Sequence, residues 1–524
     1  EGLVMSLLVM HYGLEFFARR SPGKPAVQFQ SQTLSFNQLN ARANRVAHFL
    51  ASLGIRKGDR VAAFLDNCLE YPEIIYGCAK GGYVLVPINF RLTGPEARAL
   101  ISHSGSKIAF ISQRIHDELG DYSSELEQSV EHGLVRIRAG EKDDDSYDAR
   151  TRDQDEQNPQ VTVAEADPFC IGYTSGTTGV PKGARISHRS RALLALAAAV
   201  EYGLTEDDVN LTPGAIYHAA PIIFMLLSIN IGGTSVIMEN FDPEEMLRLI
   251  ESCGVTNAFV APTMLQFIHQ LPEDVRRRYR LDSMRALISA GAPLSTHAKE
   301  ATSELFGDGV LHEFYGSTEA GWNTNLRPAD LQAKPRSCGK PVMGWEVKLV
   351  DDQGKDITAP DQVGEIYVRG DYMFDGYLDN PEATKAAFLG DWFSAGDLGM
   401  FDEDGYLYIV GRKKDMIITG GANVYPEEVE DCLHGCPGIA DVAIIGLADE
   451  TWGEIVTAIV QPDSATGITA EEVKIFCEGR IAGYKKPRDV RFVDVIPRNP
   501  SGKILKNNLR EQFASPTGAR GAFS

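Results

Sequence analysis

A chain of 524 residues exceeds what one hydrophobic core usually spans, and its 43% apolar residues can fill the cores of two or more structural units. Its 51 lysines and arginines stand against 72 aspartates and glutamates, and the net charge of −21 argues against nucleic acid or an anionic membrane as the main partner. The eight cysteines are scattered without metal-ligand spacing, so we expect reduced thiols and a cytoplasmic location.

Two apolar stretches could be mistaken for membrane or export signals. The run from Gly2 to Leu14 lacks a basic segment before it, so we expect no signal peptide. Residues Val209 to Met238 contain no Asp, Glu, Lys or Arg, but prolines and the pair Gly232 and Gly233 interrupt them. We therefore predict a buried helix, a turn and a strand in this stretch, and no transmembrane segment.

Helix and strand signals alternate through the first part of the chain. Ser35 and Gln38 have the spacing of a capping box, which predicts a helix that runs to about Ser52. Strand-like runs then follow at Val61–Leu65, Val84–Ile88 and Ile108–Ile111. Such alternation is typical of a parallel sheet with helices on its faces, so the fold class is α/β.

The middle of the chain continues this pattern after one interruption. Glu141 to Gln157 is acidic and polar, and we predict an exposed loop there. The elements expected beyond it are helices over Pro243–Cys253 and Met264–Gln270 and strands over Asn257–Val260 and Arg285–Ser289.

The character of the sequence changes twice towards the C-terminus. From Cys338 to Ile409, short strand-like runs between Asp/Gly turns indicate a β-rich subdomain. After Gly411 we predict a compact α+β unit. Its expected elements are strands near Val442–Ile445 and Val456–Val460 and a helix from Ala470 to about Ile481.

The segment Tyr173–Ala184 (YTSGTTGVPKGA) carries the strongest chemical signal. Its glycines let backbone amides approach an anion without a Cβ in the way, and its hydroxyls and Lys182 add donors. It is not a Walker A loop, because Lys182 is followed by Gly183 and not by Ser or Thr. We interpret it as a polyphosphate-binding loop in preference to a surface turn.

Four further clusters are each weak alone. Tyr315–Glu319 (YGSTE) suits a hydroxyl on phosphate and Mg²⁺ on Glu319. Asp397 offers two acceptor oxygens to a ribose diol, although a turn aspartate is the commoner reading of such a residue. Taken alone, Gly411–Asp415 (GRKKD) is a solvated basic linker and Pro500–Lys503 (PSGK) an ordinary turn.

In this order and spacing, these segments resemble the AMP-forming acyl-adenylate enzymes, which include acyl- and aryl-CoA synthetases, peptide-synthetase adenylation domains and luciferases. The resemblance runs from about Leu7 to Phe513. It implies a large N-terminal domain, residues 1–410, of stacked α/β sheets plus a β-barrel subdomain. It also implies a small α+β C-terminal lid, residues 411–524, which rotates between two half-reactions.

The resemblance also implies a role for individual residues. Lys503 matches the catalytic lysine of adenylation, while Lys182 and a Mg²⁺ ion on Glu319 would hold the leaving pyrophosphate. Lys414 falls at the hinge position, and His218 matches a segment between the acyl pocket and the thiol tunnel, although a histidine beside a tyrosine is usually a packed residue. The residues implied for nucleotide and CoA binding are Thr174, Ser175, Gly176, Thr177, Thr178, Gly179, Lys182, Gly291, Ala292, Pro293, His312, Glu313, Tyr315, Gly316, Thr318, Asp397, Arg412, Gly420 and Gly421.

The implied reaction is that of an ATP-dependent acid–thiol ligase with ATP, Mg²⁺ and CoA. A carboxylic acid is adenylated with release of pyrophosphate, and the acyl group then passes to CoA with release of AMP. The residues implied for the acyl pocket are Ala219, Ile222, Met225, Val260, Thr263, Ala292, Ala320 and Trp322. This set has no Arg or Lys to seat a second carboxylate, which favours an apolar monocarboxylic acid with a short or medium acyl chain or an aryl group.

Two other functions stay open at this point. The acceptor could be a carrier-protein thiol, although no carrier-like segment is fused to the chain. A catalytically silent nucleotide-binding protein is disfavoured because Lys182, Glu319, Asp397, Arg412 and Lys503 are all present. Lys485 and Lys486 are candidates for the CoA phosphates or for a solvated pair, and the sequence leaves the oligomeric state open, with a homodimer as one candidate.

Overall fold

Helices and parallel strands alternate through the first part of a computed structural model, which describes residues 6–138, 146–174, 181–463, 467–498 and 503–514. The elements of the first stretch are α1 Tyr12–Arg20, β1 Pro25–Phe29, β2 Gln32–Ser35, α2 Phe36–Ser52, β3 Arg60–Phe64, α3 Glu70–Gly81, β4 Val84–Pro87, α4 Gly94–Ser104, β5 Ser106–Ser112, α5 Gln113–Leu119, α6 Tyr122–Glu127, β6 Leu134–Ile137, α7 Tyr147–Thr151, β7 Pro168–Thr174, β8 Lys182–Ser187 and α8 His188–Glu201. The capping box predicted at the start of α2 is present. The predicted strands at β3, β4 and β5 are also confirmed, and they pair in parallel.

Six of these strands form a sheet in the order β6-β5-β3-β4-β7-β8. It is parallel except for β7 and β8, which form an antiparallel hairpin in which Thr174 pairs with Lys182. The connection between these two residues is the predicted phosphate loop. Residues 175–180, which include Ser175, Gly176, Thr177, Thr178 and Gly179, lie outside the described residues.

A second α/β stretch builds the nine-stranded sheet. Its elements are β9 Val209–Thr212, α9 Ala219–Asn230, β10 Thr234–Ile237, α10 Pro243–Cys253, β11 Asn257–Val260, α11 Pro262–Gln270, α12 Glu273–Arg276, β12 Ala286–Ser289, α13 Thr296–Phe306, β13 Leu311–Ser317 and β14 Gly321–Leu326. With β1, β2 and a short strand β15 (Lys340–Pro341), the order is β15-β14-β13-β12-β11-β9-β10-β1-β2. The buried helix, turn and strand predicted within Val209–Met238 are confirmed as α9 and β10. Among the described residues, no helix is long and apolar enough to cross a membrane.

Two smaller units complete the chain. The β-rich subdomain contains β16 Trp345–Val350, β17 Asp356–Ile357, β18 Gly364–Gly370, α14 Pro381–Ala386, β19 Phe388–Leu389, β20 Trp392–Phe393, β21 Asp397–Phe401 and β22 Leu407–Arg412. Its strands pair antiparallel in one seven-stranded sheet. The C-terminal α+β unit contains β23 Ile417–Thr419, β24 Ala422–Val424, α15 Pro426–His434, β25 Ile439–Asp449, β26 Gly453–Pro462, α16 Ala470–Phe476, β27 Asp489–Phe492 and α17 Lys506–Phe513. These units agree with the α/β, β-rich and α+β parts predicted from the sequence.

The prediction of an exposed loop over Glu141–Gln157 is wrong in part. Residues 139–145 lie outside the described residues, but Ser146 caps the short helix α7 by accepting a hydrogen bond from the Ala149 amide. Tyr147 is buried, and its hydroxyl donates to Glu73 Oε2 over 2.6 Å. The one aromatic residue among the charges therefore anchors this segment to α3. Charge density alone predicted exposure, because a single buried contact leaves no periodic pattern in the sequence.

The predicted helix from Ala470 to Ile481 is also shorter than expected. Thr469 and Glu472 form a capping box at its start, but α16 ends at Phe476. Val473 and Cys477 are buried, whereas Ile475 is more than half exposed. Apolar residues therefore continue in the sequence past the end of the helix, but they do not form one continuous buried face.

Candidate functional site

Glu319 lies in the turn between β13 and β14, and its carboxylate is buried. Thr174 Oγ1 donates to Glu319 Oε1 over 3.2 Å, and the Tyr377 hydroxyl donates to the same oxygen over 2.9 Å. Both donors are uncharged, so they fix the carboxylate without cancelling its charge. Neither of these two bonds uses Oε2.

Lys182 reaches the same place from the other side of the β7–β8 hairpin. Its ammonium lies 5.0 Å from the centre of the Tyr377 ring, within the range of a cation–π contact. Burial, and then the Glu319 charge, raise the pKa of Tyr377, so its hydroxyl stays protonated and acts as a donor. The structure thus brings together Thr174, Lys182 and Glu319 from the predicted site. Tyr377, 58 residues after Glu319, completes this group.

Asp397 and Arg412 face each other across the β21–β22 hairpin. Their Cα atoms are paired in register, and Arg412 Nε lies 3.0 Å from Asp397 Oδ1. The Tyr315 hydroxyl donates to the other oxygen, Oδ2, over 2.9 Å. Asp397 is buried, so a partner for each oxygen offsets the desolvation of its charge. A ribose diol would share or exchange these contacts.

The segment Tyr315–Glu319 therefore serves two clusters at once. Tyr315 at its start contacts Asp397, and Glu319 at its end contacts Thr174 and Tyr377. Gly316 within it permits the tight β13–β14 connection, because a Cβ there would lie 2.0 Å from the Gly321 carbonyl oxygen. The Thr318 carbonyl accepts a hydrogen bond from Arg191 over 2.8 Å. This segment is thus held by its backbone and presents side chains to both neighbours.

Lys503 approaches this site from the C-terminal unit. It precedes α17 by three residues, and the neighbouring backbone is tied down by the Leu505 amide, which donates to Pro497 over 2.9 Å. Burial and then the positive charge of Arg412 lower the pKa of Lys503 to about 8, while Asp397 and Asp415 act in the opposite direction. Lys503 therefore lies within the field of the Asp397–Arg412 pair. Lys414, which is exposed, is among the cations that lower this pKa.

Residues implied for the adenine slot fall into two groups. Gly291, with φ of +99°, Ala292 and Pro293 lie after the end of β12 and are not buried. The side chain of Glu313 has partners within the fold, and its predicted role in nucleotide binding stays a prediction. It accepts a hydrogen bond from the Leu294 amide over 2.9 Å and pairs with the buried Lys299. Side chains alternate along β13, so Glu313 and Phe314 point to opposite faces of the sheet.

His312 is a packed residue in this structure. Its ring lies 5.0 Å from the Tyr202 ring, and its Nδ1 lies 3.2 Å from Asn325 Nδ2. Burial lowers the pKa of His312 to about 4, so it is neutral at physiological pH. His312 can form a wall of the site but not a positive charge within it.

Several residues predicted for the acyl pocket belong to α9. His218 precedes this helix without a capping hydrogen bond from its side chain, its ring lies 4.1 Å from that of Tyr217, and Ala219, Ile222 and Met225 follow. Trp322 on β14 packs against Tyr202, with ring centres 5.3 Å apart. Thr263 lies in α11, which follows β11, and is half-buried. Ala320, beside Glu319, is buried in the same core as Ile222 and Trp322.

Val260 lies in a different core cluster from the other buried residues predicted for the pocket, and its predicted role there stays untested. It packs with Leu211 and Leu265 on the other face of the nine-stranded sheet. Its neighbour Phe259 faces α9 instead and stacks on Phe224 with ring centres 5.5 Å apart. A shift of one residue along a strand changes the face, and the sequence alone could not set the parity.

Sequence reasoning missed the aromatic residues behind the pocket. Phe224, Phe259 and Phe314 form a triangle with ring centres between 5.5 and 6.4 Å apart, and Tyr202 extends it towards Trp322. Tyr377 beside Glu319 was also missed. These residues come from separate elements, and the hydrophobic pattern marks them only as core residues. In the sequence, the apolar residues around each of them indicated only a buried position.

The residues implied for CoA lie in the C-terminal unit. Gly420 and Gly421 form the β23–β24 turn with φ of +57° and +82°, and the Gly420 amide donates to the Trp452 carbonyl over 2.8 Å. Lys485 pairs with Glu428 at 2.7 Å and Lys486 with Glu478 at 3.1 Å. Both lysines thus have carboxylate partners within this unit, and neither is a solvated cation on its own.

Comparison with known proteins places this geometry in a family. The profile for AMP-binding enzymes matches residues 14–378, and the profile for their C-terminal domain matches residues 428–503. The chain belongs to the AMP-binding enzymes. The predicted resemblance, fold class and acid–thiol ligase activity are confirmed by this match and by the relatives of the chain, and ATP and CoA are its substrates.

Three of these relatives show how the similarity is distributed. A long-chain-fatty-acid–CoA ligase, FadD13, from Mycobacterium tuberculosis is 37% identical over 487 residues, which are 92% of this chain and 93% of that protein. A feruloyl-CoA synthase from Amycolatopsis sp is 36% identical over 499 residues, which are 95% of this chain and 97% of that protein. The solved structure of the anthranilate CoA ligase AuaEII in complex with anthranoyl-AMP has a TM-score of 0.88 and 27% identity, and the match covers 96% of each chain.

Proposed function

We propose that this enzyme adenylates an apolar monocarboxylic acid with a compact acyl or aryl group and transfers the acyl group to CoA. The observation that supports the proposal is that Tyr315–Glu319 contacts two clusters whose chemistry suits the two halves of a nucleotide. One end of the segment holds Asp397, which suits ribose, and the other end presents Glu319 beside Lys182, which suits phosphates.

Charge decides the role of each residue in the first half-reaction. The substrate carboxylate must approach the α-phosphate, so two anions meet before pyrophosphate leaves. We assign Lys503 to neutralise the carboxylate and an α-phosphate oxygen, and Lys182 to bind the leaving pyrophosphate. Asp397 and Arg412 fix the ribose, so that the α-phosphate is held in line with the acid.

Glu319 fits a Mg²⁺ ion. Mg²⁺ prefers oxygen ligands and is usually held by one or two carboxylates together with substrate phosphates. Both hydrogen-bond donors to Glu319 are hydroxyls that bind one oxygen, Oε1, and Thr174 places a further oxygen beside the carboxylate. Such an ion would supply charge neutralisation at the phosphates. In the described part of the chain, no cluster of three or more His, Cys, Asp and Glu side chains forms a protein-only metal site.

The aromatic residues behind α9 support a compact acid. Phe224, Phe259 and Phe314 pack against each other, and Trp322 is only 4% exposed. A long alkyl chain would have to displace these contacts, each worth about 0.5–1.5 kcal/mol beyond the area that it buries. The apolar surroundings of Ile222 and Met225 also disfavour a second carboxylate, since a buried unpaired charge is costly.

The second half-reaction needs a lid that moves. We assign residues 1–410 to the large domain and 411–524 to the lid, with the dihedral change at the exposed Lys414. Gly420 and Gly421 would then pass close to the pantetheine arm of CoA. His218, beside the acyl pocket, would lie near the thiol.

The cellular setting is part of the proposal. All eight cysteines are free thiols, and six of them are buried, which supports a reducing compartment such as the cytoplasm. A homodimer stays a prediction, to be tested by light scattering.

A panel of carboxylic acids in an ATP–pyrophosphate exchange assay tests the proposed substrate. We expect exchange with short or medium alkanoic and simple aryl acids, and much weaker exchange with diacids and with long-chain acids. Adding CoA should convert each active acid to its thioester, and a phosphopantetheinylated carrier protein serves as the alternative acceptor. Exchange that requires a diacid or a long-chain acid would overturn the substrate assignment.

A further inference from the structure

Two cations on α17 follow Lys503 in the chain. Lys506 and Arg510 are one helical turn apart and therefore share a face of the helix, and their side chains are only 10% and 25% exposed. Leu509 packs away from them, into a core with Ile445, Ile459 and Ile496. The helix that follows Lys503 thus has one apolar anchor and one cationic face.

Lys506 is buried against two carboxylates of α15. Its ammonium lies 2.8 Å from Glu430 Oε1 and 3.9 Å from Glu427 Oε1. Burial lowers the pKa of Lys506, but Glu430 and Glu427 outweigh it and hold the pKa above its ordinary value. Glu430 Oε1 also accepts the Ile444 amide over 2.7 Å, so the pair is tied to strand β25. Lys506 therefore remains charged and fixed between two elements of the C-terminal unit.

Arg510 ties the same face of α17 to the segment beyond Lys414. Its Nη2 lies 2.9 Å from Oδ1 of the buried Asp415, and the Asp415 amide donates to the Arg412 carbonyl over 2.9 Å. Asp415 is also one of the two carboxylates whose charge acts on Lys503. The helix is thus fastened at two points, one on α15 and one beside the Asp397–Arg412 pair.

We propose that Lys506 is a positioning residue for the adenylation step: by pairing with Glu430 and Glu427 it fixes the first turn of α17 and so holds the Lys503 ammonium at the substrate site. Lys503 and Lys506 are three residues apart, so the first turn of α17 and the bond from the Leu505 amide to the Pro497 carbonyl together set the backbone position of Lys503. A misplacement of about 1 Å in a catalytic group costs roughly 100-fold in rate. The inference rests on the proposed role of Lys503.

The test compares both half-reactions in four variants of the full-length enzyme. Lys506→Met removes the charge and keeps the length, Lys506→Arg keeps the charge, and Lys503→Ala tests the proposed function itself. Lys474→Met on α16 is the matched control, because this lysine lies in the same unit away from the site. The readouts are kcat and KM for pyrophosphate exchange, and the rate of thioester formation from presupplied acyl-adenylate and CoA.

A positioning role predicts a specific split. Lys506→Met should lower kcat of exchange roughly 10- to 100-fold, with KM for ATP and acid within about twofold of wild type. Thioester formation should stay within about twofold, Lys506→Arg should restore most of the exchange rate, and Lys474→Met should change nothing. Equal losses in both half-reactions, or wild-type exchange in Lys506→Met, would overturn the proposal. If Lys503→Ala retained wild-type exchange, the proposed function of Lys503 would fail instead.

Removing Lys506 takes the counter-ion from Glu430 and from Glu427, whose pKa burial already raises to about 7, and this loss can destabilise the unit. The triple variant Lys506→Met, Glu427→Gln, Glu430→Gln replaces all three ionisable groups with neutral side chains and avoids this problem. We expect it to melt close to wild type and to show the same selective loss of exchange. A folded triple variant with wild-type exchange would refute the positioning role.

Discussion

The two sides of the site hold their charges in opposite ways. On the large-domain side, Glu319 is fixed by the hydroxyls of Thr174 and Tyr377, which carry no charge. On the C-terminal side, Lys506 is fixed by carboxylates and Arg510 by Asp415. Glu319 receives its hydrogen bonds from neutral hydroxyls, with the buried Arg191 acting on it only through its charge, whereas Lys506 pairs directly with a carboxylate. The difference matches the roles proposed above, with Glu319 at the substrate and Lys506 as a residue that positions Lys503.

Removing the cation that acts on the substrate should have the largest effect. We expect Lys503→Ala to lower the rate of adenylation roughly 10²- to 10³-fold, or by about 3–4 kcal/mol of barrier, as for the loss of one oxyanion donor. Thioester formation from presupplied acyl-adenylate should continue. Quenched-flow measurement of pyrophosphate release and of acyl-CoA formation separates the two steps. Pyrophosphate release at the wild-type rate would contradict the assignment.

The second-largest effect is expected when the negative charge of Glu319 is removed. Glu319→Gln keeps an acceptor for Tyr377 but loses the anion, so we expect roughly 10- to 100-fold slower adenylation and a higher Mg²⁺ requirement. Mg²⁺ titrations of pyrophosphate exchange measure both. Glu206→Gln, at a surface carboxylate paired with Arg20, is the control and should behave as wild type. An unchanged Mg²⁺ dependence in Glu319→Gln would remove the metal from this residue.

The pH dependence of adenylation should report Lys503. Burial lowers its pKa to about 8, so the ammonium is present below pH 8 and is lost as the pH rises through that value. We expect kcat/KM for ATP in the exchange assay to fall above about pH 8, approaching tenfold per pH unit, because kcat/KM follows the free enzyme. Lys503→Arg should abolish this decline, since a guanidinium stays protonated. A decline that persists in Lys503→Arg would belong to another group.

The smallest effect is expected for one neutral donor. Tyr377→Phe removes one of the two hydrogen bonds to Glu319 and leaves the ring beside Lys182, so we expect a loss of about 0.5–1.5 kcal/mol, or roughly 2- to 10-fold, in adenylation. Tyr408→Phe, which loses a hydroxyl bonded to Asp402, is the matched control. Should the two variants lose equally, the hydroxyl at position 377 would have no special part in the reaction.

Local signals explain what the sequence could predict. The capping box at Ser35 and Gln38 defined the start of α2, and the strand and helix alternation gave the α/β class. Resemblance to a family supplied the site residues, and the structure brings Thr174, Lys182, Glu319, Asp397, Arg412 and Lys503 into two neighbouring clusters. Their roles stay predictions until the variants are measured.

What could not be predicted depends on the face that a residue presents and on contacts between distant elements. Phe259, not Val260, faces α9 because the sheet sets the parity of β11. Glu313 pairs with the buried Lys299, which lies 14 residues before it. Tyr377 reaches Glu319 across 58 residues, and Tyr147 reaches Glu73 across 74. The periodicity of a single helix or strand gives no information about contacts between residues so far apart in the chain.

Because most of the cysteine thiols are buried, the movement of the proposed lid can be followed with dyes on two native cysteines. Of the eight cysteines, only Cys253 and Cys432 are partly exposed, and burial raises the pKa of Cys432. A maleimide dye should therefore react first at Cys253 and more slowly at Cys432. Cys253 ends α10 in the large domain, and Cys432 lies on α15 beyond Lys414. Donor and acceptor dyes on these two native thiols would span the proposed pivot and follow its rotation by energy transfer, without any engineered cysteine.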